Sequence, residues 1–193
     1  MALKFKTARK IVPIVRKLRF FTAFLRNPRV GATAPSSSFV VEKVLSLIPE
    51  GTKTVIELGP GDGVVTRELL KALPKDGHLT AIELDRDFAS KLRRIASPNF
   101  TLIEGKAEEE LLRLTDKVDM VIASIPFSMV MPDDARTIIR AAHALLRPRG
   151  RCVVFHQYWP VARPLLRKVF GPVESYRETR NNPSCYIFWV EKK

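Results

Sequence analysis

Val55-Ile56-Glu57-Leu58-Gly59-Pro60-Gly61-Asp62-Gly63-Val64-Val65-Thr66 joins a short β-rich apolar run to a segment of helical spacing, through a loop with glycine at every second position. Glycines at a strand-to-helix junction let a ligand approach the backbone, and the helix start offers unpaired N–H groups. A carboxylate, Glu83, closes the next apolar run about 20 residues further on, where an acid is placed to bind ribose hydroxyls. A nicotinamide-type site would want Gly-x-Gly-x-x-Gly; here Gly59, Gly61 and Gly63 alternate, with Glu57 ahead of them inside the strand.

The same alternation extends in both directions. Apolar runs predict strands over 54–58, 79–84, 100–104, 118–123 and 151–156. Helical spacing predicts helices over 39–47, with Ser36 to Ser38 as candidate N-caps, and over 64–73, 87–95, 108–114, 132–146 and 161–170. The run over 118–123 is almost wholly apolar, as expected in the middle of a parallel sheet. Segments 174–179 and 184–191 form a closing pair around Asn181-Asn182-Pro183. Strands alternating with helices mean an α/β doubly wound sheet. Seven strands are expected, mostly parallel, with the terminal pair adding an antiparallel edge.

The chain has 193 residues, 46% of them apolar, enough for one domain with a substantial core. No uncharged run approaches the roughly 18 apolar residues that crossing a bilayer requires. Its net charge of +13 is unevenly spread: nine basic residues, from Lys4 to Arg29, precede the first acid, Glu42. The remainder holds 24 basic against 20 acidic residues. Two units are therefore expected: a cationic arm over 1–30 and a nearly charge-balanced globular domain over 31–193. Within the arm, Ile11, Ile14, Val15, Leu18, Phe21 and Leu25 fall on one helical face, with Arg9, Lys10, Arg16 and Lys17 largely opposite. This cationic amphipathic pattern suits a helix lying in a membrane interface, and also a helix packed on the domain with its basic face solvated. Pro13 ends a first short helix or kinks a longer one.

The pattern E-x-G-x-G-x-G over 57–63 resembles the class I S-adenosylmethionine-dependent methyltransferases, whose Rossmann-like fold covers the chain from about residue 31 onward. The resemblance implies that the Gly59–Gly63 loop cradles the methionine part of S-adenosylmethionine, that Glu83 grips the ribose, and that Glu57 orients the loop or the cofactor's amino group. It makes Glu57, Gly59, Gly61, Gly63, Val64, Glu83, Leu84, Ala107, Glu108 and Ser124 the cofactor-binding candidates. Lys106 stands where related enzymes carry an acid for the adenine amine.

Segments 56–61 and 81–87 look like the ribosomal RNA adenine dimethyltransferases, which carry N-[LI]-P-[FY] after the fourth strand. This chain has Ser124-Ile125-Pro126-Phe127 there, so the amide that holds the target base is replaced. The extra C-terminal helical domain of those enzymes is not expected either. Arg29-Val30-Gly31-Ala32-Thr33-Ala34-Pro35-Ser36-Ser37, the glycine loop, Phe155-His156-Gln157-Tyr158 and Arg180-Asn181-Asn182-Pro183-Ser184 together resemble the soluble bacterial phospholipid N-methyltransferases. Those enzymes methylate the headgroup amine of phosphatidylethanolamine toward phosphatidylcholine, and bind the membrane through an N-terminal amphipathic helix. The resemblance implies a cytoplasmic protein held peripherally at the inner face of the cell membrane. Its partners would be an anionic membrane surface and the phospholipid substrate, with no obligate protein partner.

In-line methyl transfer to a neutral amine draws its acceleration chiefly from alignment. Tyr158, Ser124 and His156 are the catalytic candidates: His156 as a base, Tyr158 as an acceptor from the amine or a ring facing a methylated cation. Ser36, Ser37, Pro126, Tyr158 and Arg180 are the substrate-binding candidates, Arg180 pairing with the lipid phosphate. His156 as a plain strand-end residue and Arg180 as a solvated hairpin charge stand beside these roles. Cys152 and Cys185 read as small buried hydrophobes in neighbouring strands, and His78 and His143 lack partners at ligand spacing, so no metal is expected. Two alternatives to lipid methylation are an adenine-N6 methyltransferase whose arm grips RNA phosphates, and a non-catalytic module that keeps the cofactor fold.

Overall fold

The computed structural model describes residues 36–157 and 161–193. The arm over 1–30, the segment over 31–35 and Tyr158 lie outside the described residues. The expected elements form in the expected order, beginning with helix α1 (Ser38–Leu45), which Ser37 caps by accepting from the Val40 amide. Strand β1 (Thr54–Leu58), α2 (Val64–Ala72), β2 (His78–Glu83), α3 (Arg86–Leu92) and β3 (Phe100–Glu104) follow. After them come α4 (Ala107–Glu110), β4 (Val118–Ala123), α5 (Pro132–Leu145), β5 (Leu146–His156), α6 (Ala162–Phe170), β6 (Glu174–Glu178) and β7 (Cys185–Glu191).

The seven strands make one sheet in the order β3-β2-β1-β4-β5-β7-β6. Side chains alternate across it. Val55, Met120, Ile122, Val153 and Ile187 bury beneath α1 and α2. Ile56, Leu58, Val121, Val154 and Phe188 bury beneath α5 and α6. This two-sided burial explains why β1 and β4 read as continuous apolar runs.

The closing pair adds the expected antiparallel edge, in an order that its sequence leaves open. The antiparallel strand is β7, paired with β5 from Arg151↔Glu191 to His156↔Tyr186, and it lies one place inside the edge. The edge is β6, antiparallel to β7. Burial decides the order: Ile187, Phe188 and Val190 are covered on β7, whereas four of the five residues of β6 face solvent. Two boundaries also move. β5 starts at Leu146 rather than 151, because Leu146 already pairs with Val118 before a register shift carries Arg151 onto Met120. The helix expected over 108–114 tightens after Glu110 into a 3-10 turn that buries Leu111 and leaves Leu112 exposed.

From β1 the chain winds first toward β2 and β3, then returns to place β4 on the other side. A crevice opens at the carboxyl ends of strands where the winding reverses, here β1 and β4. Gly63 begins α2 there at φ +75°, and an added Cβ would lie 2.7 Å from Leu92 Cδ2. Gly63→Ala is therefore expected to destabilise the fold by about 2 kcal/mol, from left-handed strain plus a forced shift of Leu92. Urea unfolding measures it, and a midpoint equal to wild type would refute it.

Candidate functional site

The crevice is a cleft of roughly 1170 Å³, its open mouth included, between the ends of β1, β2, β4 and β5. The backbone of its floor is drawn tight. The Gly59 amide donates to Ile82 O at 2.9 Å and the Ser124 amide to Leu58 O at 2.8 Å, which ties β1 to both neighbours just where they end. Gly59 sits at φ +69°, and a Cβ there would lie 3.2 Å from Ser124 O. Only glycine keeps this part of the floor open.

Two acids shape the loop. Glu83 is 5% exposed and accepts from the Gly61 amide through Oε2 and from the Asp85 amide through Oε1, both at 2.9 Å. It thus fastens the glycine loop to the end of β2 while still facing the cleft. Burial pushes its carboxyl up to about 7, against the pull of those amides. Glu57 is 1% exposed. Its Oε2 accepts from the Thr66 hydroxyl at 2.7 Å, and among the described residues its Oε1 has no hydrogen-bond partner. Burial pushes the Glu57 carboxyl up to about 8, with the negative charges of Glu83 and Asp62 adding to the rise.

In a chain of net charge +13, the cleft is locally acidic. Among the described residues Glu57, Asp62, Glu83 and Glu108 line it against Lys106 as the single lysine or arginine. A ligand that carries positive charge is favoured there. The sequence-predicted residues Gly59, Gly61, Val64, Leu84, Ala107 and Ser124 line the same cleft, while Gly63 stands behind it as the cap of α2. Of the residues expected at the acceptor site, Ser36, Pro126 and His156 also line the cleft. His156 ends β5 at 7% exposure.

Two substrate-binding candidates are placed outside the lining. Ser37 sits behind Ser36, its amide donating to Asn181 Oδ1 at 2.9 Å. Arg180 grips Glu178 through two contacts, Nε to Oε1 at 2.8 Å and Nη2 to Oε2 at 2.6 Å, and its guanidinium covers the Phe39 ring. That pair holds the Glu178 carboxyl down to about 2. Arg180 thus fastens the terminal hairpin to α1, and the phosphate contact expected of it finds no cleft position. Cys152 and Cys185 are buried free thiols on adjacent strands; Cys185 touches the cleft. Thr66 and Asn181 lie inside the quoted segments 55–66 and 180–184, but no role was expected of either.

Residues 55–150, about half of the chain, match the model of a methyltransferase domain family. The chain belongs to the methyltransferases. An ornithine lipid N-methyltransferase from Singulisphaera acidiphila is 28% identical over 173 residues, which cover 86% of this chain and 90% of that protein. A ribosomal RNA small subunit methyltransferase A from a Synechococcus species is 38% identical over 112 residues, covering 56% of this chain but only 40% of that protein. The crystal structure of the N-methyltransferase NodS from Bradyrhizobium japonicum in complex with S-adenosyl-L-homocysteine shares the fold, with a TM-score of 0.68 over 80% of this chain and 86% of that one at 14% identity.

The cleft of this methyltransferase fits S-adenosylmethionine as its cofactor. Glu57 Oε1 is a buried acceptor awaiting a donor, and the floor at Gly59 would be filled by a single added carbon. The surplus of carboxylates matches a molecule that carries both a sulfonium and an ammonium group.

Proposed function

We propose that this methyltransferase transfers methyl groups from S-adenosylmethionine to the headgroup amine of a membrane lipid, phosphatidylethanolamine and its methylated intermediates, at the membrane surface. The observation that carries the proposal is the end-to-end similarity to a lipid N-methyltransferase, 90% of whose length aligns, against 40% of the ribosomal RNA enzyme. The acceptor end supports it. Phe127, where an RNA adenine enzyme would present a ring to its target base, is 2% exposed and packs into the core with Ala135 and Ile138. Ser124 offers a hydroxyl in place of the amide.

When bound, S-adenosylmethionine supplies an electrophilic methyl group on a sulfonium sulfur. Glu57 would hold the ammonium of its amino-acid end, and Glu83 would accept from the ribose hydroxyls. Ser124 with the Ile125 and Pro126 carbonyls orients the attacking amine, whose lone pair must be free of its proton. His156 is the base proposed to take that proton, since imidazole is suited to the task near neutral pH. Tyr158, which lies outside the described residues, is proposed to accept from the amine or to offer its ring to a methylated cation. Most of the acceleration comes from alignment in the cleft. The arm over 1–30 brings the mouth to an anionic membrane surface from the cytoplasmic side. Among the described residues no helix is long and apolar enough to cross a membrane.

Incubation with methyl-labelled S-adenosylmethionine tests the proposal, with vesicles of phosphatidylethanolamine, vesicles of ornithine lipid, and RNA as separate acceptors. Label is expected in extracted phosphatidylethanolamine. Label confined to RNA, or absent everywhere while cofactor binds, overturns lipid methylation. Label in ornithine lipid alone moves the substrate to that headgroup. Removing residues 1–25 is expected to abolish vesicle sedimentation and leave cofactor affinity within twofold; vesicle binding that survives removes the arm from the account.

A further inference from the structure

A threonine inside a helix ordinarily turns its hydroxyl back to the carbonyl one turn earlier or out to water. Thr66, the third residue of α2 and 0% exposed, instead bonds Glu57 Oε2 at 2.7 Å. That bond pins one oxygen of a fully buried carboxylate, leaving Oε1 as the oxygen without a partner on a side chain that lines the cleft. We propose that Thr66 is a positioning residue, whose hydroxyl turns the Glu57 carboxylate to receive the cationic amino-acid end of the methyl donor and favours its ionised form. The inference rests on the reading of the cleft as the S-adenosylmethionine site and extends it to a side chain behind the lining.

The chemistry follows from burial. Glu57 sits among groups that resist its charge: Asp62 on the loop and Glu83 at the end of β2. Across the cleft are Glu108, the single ammonium of Lys106, and His156 at the end of β5. Against that surplus of negative charge, the Thr66 hydroxyl makes the one hydrogen bond to the Glu57 carboxylate among the described residues, and it favours the ionised form. Without it the carboxyl keeps its proton to higher pH, and a neutral acid is a poor partner for an ammonium. The donor's affinity must then depend on pH through Glu57, and Thr66 sets where that dependence falls.

Isothermal titration with S-adenosylhomocysteine, which carries the same amino-acid end without the methyl group, tests this from pH 6.5 to 9. Wild-type affinity is expected to rise with pH and level off as Glu57 ionises. Thr66→Val is expected to bind about tenfold more weakly at pH 7.5, the effect of one lost hydrogen bond to a charged group, and to level off at higher pH. Thr66→Ser is expected to restore both affinity and profile. Far-UV circular dichroism checks that the valine variant folds; if it does not, Thr66→Ala carries the same expectation. A valine or alanine variant binding within twofold of wild type at every pH overturns the inference, as does a serine variant as weak as valine. Failure of the wild type to bind at all overturns the cofactor reading itself.

Discussion

Replacing Glu83 with alanine is expected to cost at least a hundredfold in S-adenosylmethionine affinity, while the fold survives. Glu83 holds the Gly61 and Asp85 amides with its two oxygens, so its loss frees the glycine loop from the end of β2. It also removes the acceptor proposed for the ribose hydroxyls. Hydrogen bonds to a charged group contribute about 1.5–3 kcal/mol each. Two of them exceed the roughly 2.7 kcal/mol that a hundredfold change represents. The apo protein responds differently. Its carboxyl is raised to about 7 by burial, so deleting it also removes a desolvation cost that partly offsets the two lost amide contacts. Calorimetric titration should therefore show collapsed affinity beside a melting temperature changed by only a few degrees. A variant that binds within threefold of wild type would mean that the loop is held without Glu83.

The position of Glu83 at a strand end was legible in the sequence, as were the glycine loop and all seven strands, and the reason is locality. A strand followed by alternating glycines and a helix, then an acid ending the next strand, writes its geometry into neighbouring residues. What stayed hidden depends on partners distant in the chain. Whether β6 or β7 takes the sheet edge is settled by which of them meets β5, and the apolar side chains of β7 win that place. Arg180 reads as a partner for a lipid phosphate or a solvated hairpin charge; it is exposed, and Glu178 two residues earlier pairs with it beside Phe39. The turn after β4 sends the Phe127 ring into the core. Thr66 carries no pattern of its own, because its meaning lies in the carboxylate it faces across the α2–β1 packing.

That carboxylate makes the apo protein sensitive to pH in a direction opposite to most acids. An unfolded glutamate titrates near 4.5, and burial raises Glu57 in the fold to about 8. Between those values the folded chain keeps a proton that the unfolded chain has released. The stabilising contribution is thus fully present below about pH 4.5 and is lost as pH rises through about 8. Glu83, raised to about 7, adds a slope of the same sign. Glu57→Gln keeps the shape and an oxygen for the Thr66 hydroxyl, and it cannot ionise. Without ligand, the variant is expected to be more stable than wild type at pH 8.5 by on the order of 2 kcal/mol, with the gap closing toward pH 5. Some slope should persist in the variant, because Glu83 remains. Saturating S-adenosylhomocysteine should reverse the ranking at high pH, since only the ionised wild-type side chain repays its burial by pairing with an ammonium. Thermal melts at pH 5.5, 7 and 8.5, with and without that ligand, test both halves. Parallel pH curves for the two proteins would show that Glu57 is solvated or paired in the apo state. A ranking unchanged by ligand would show that its charge does not face the methyl donor's amino-acid end.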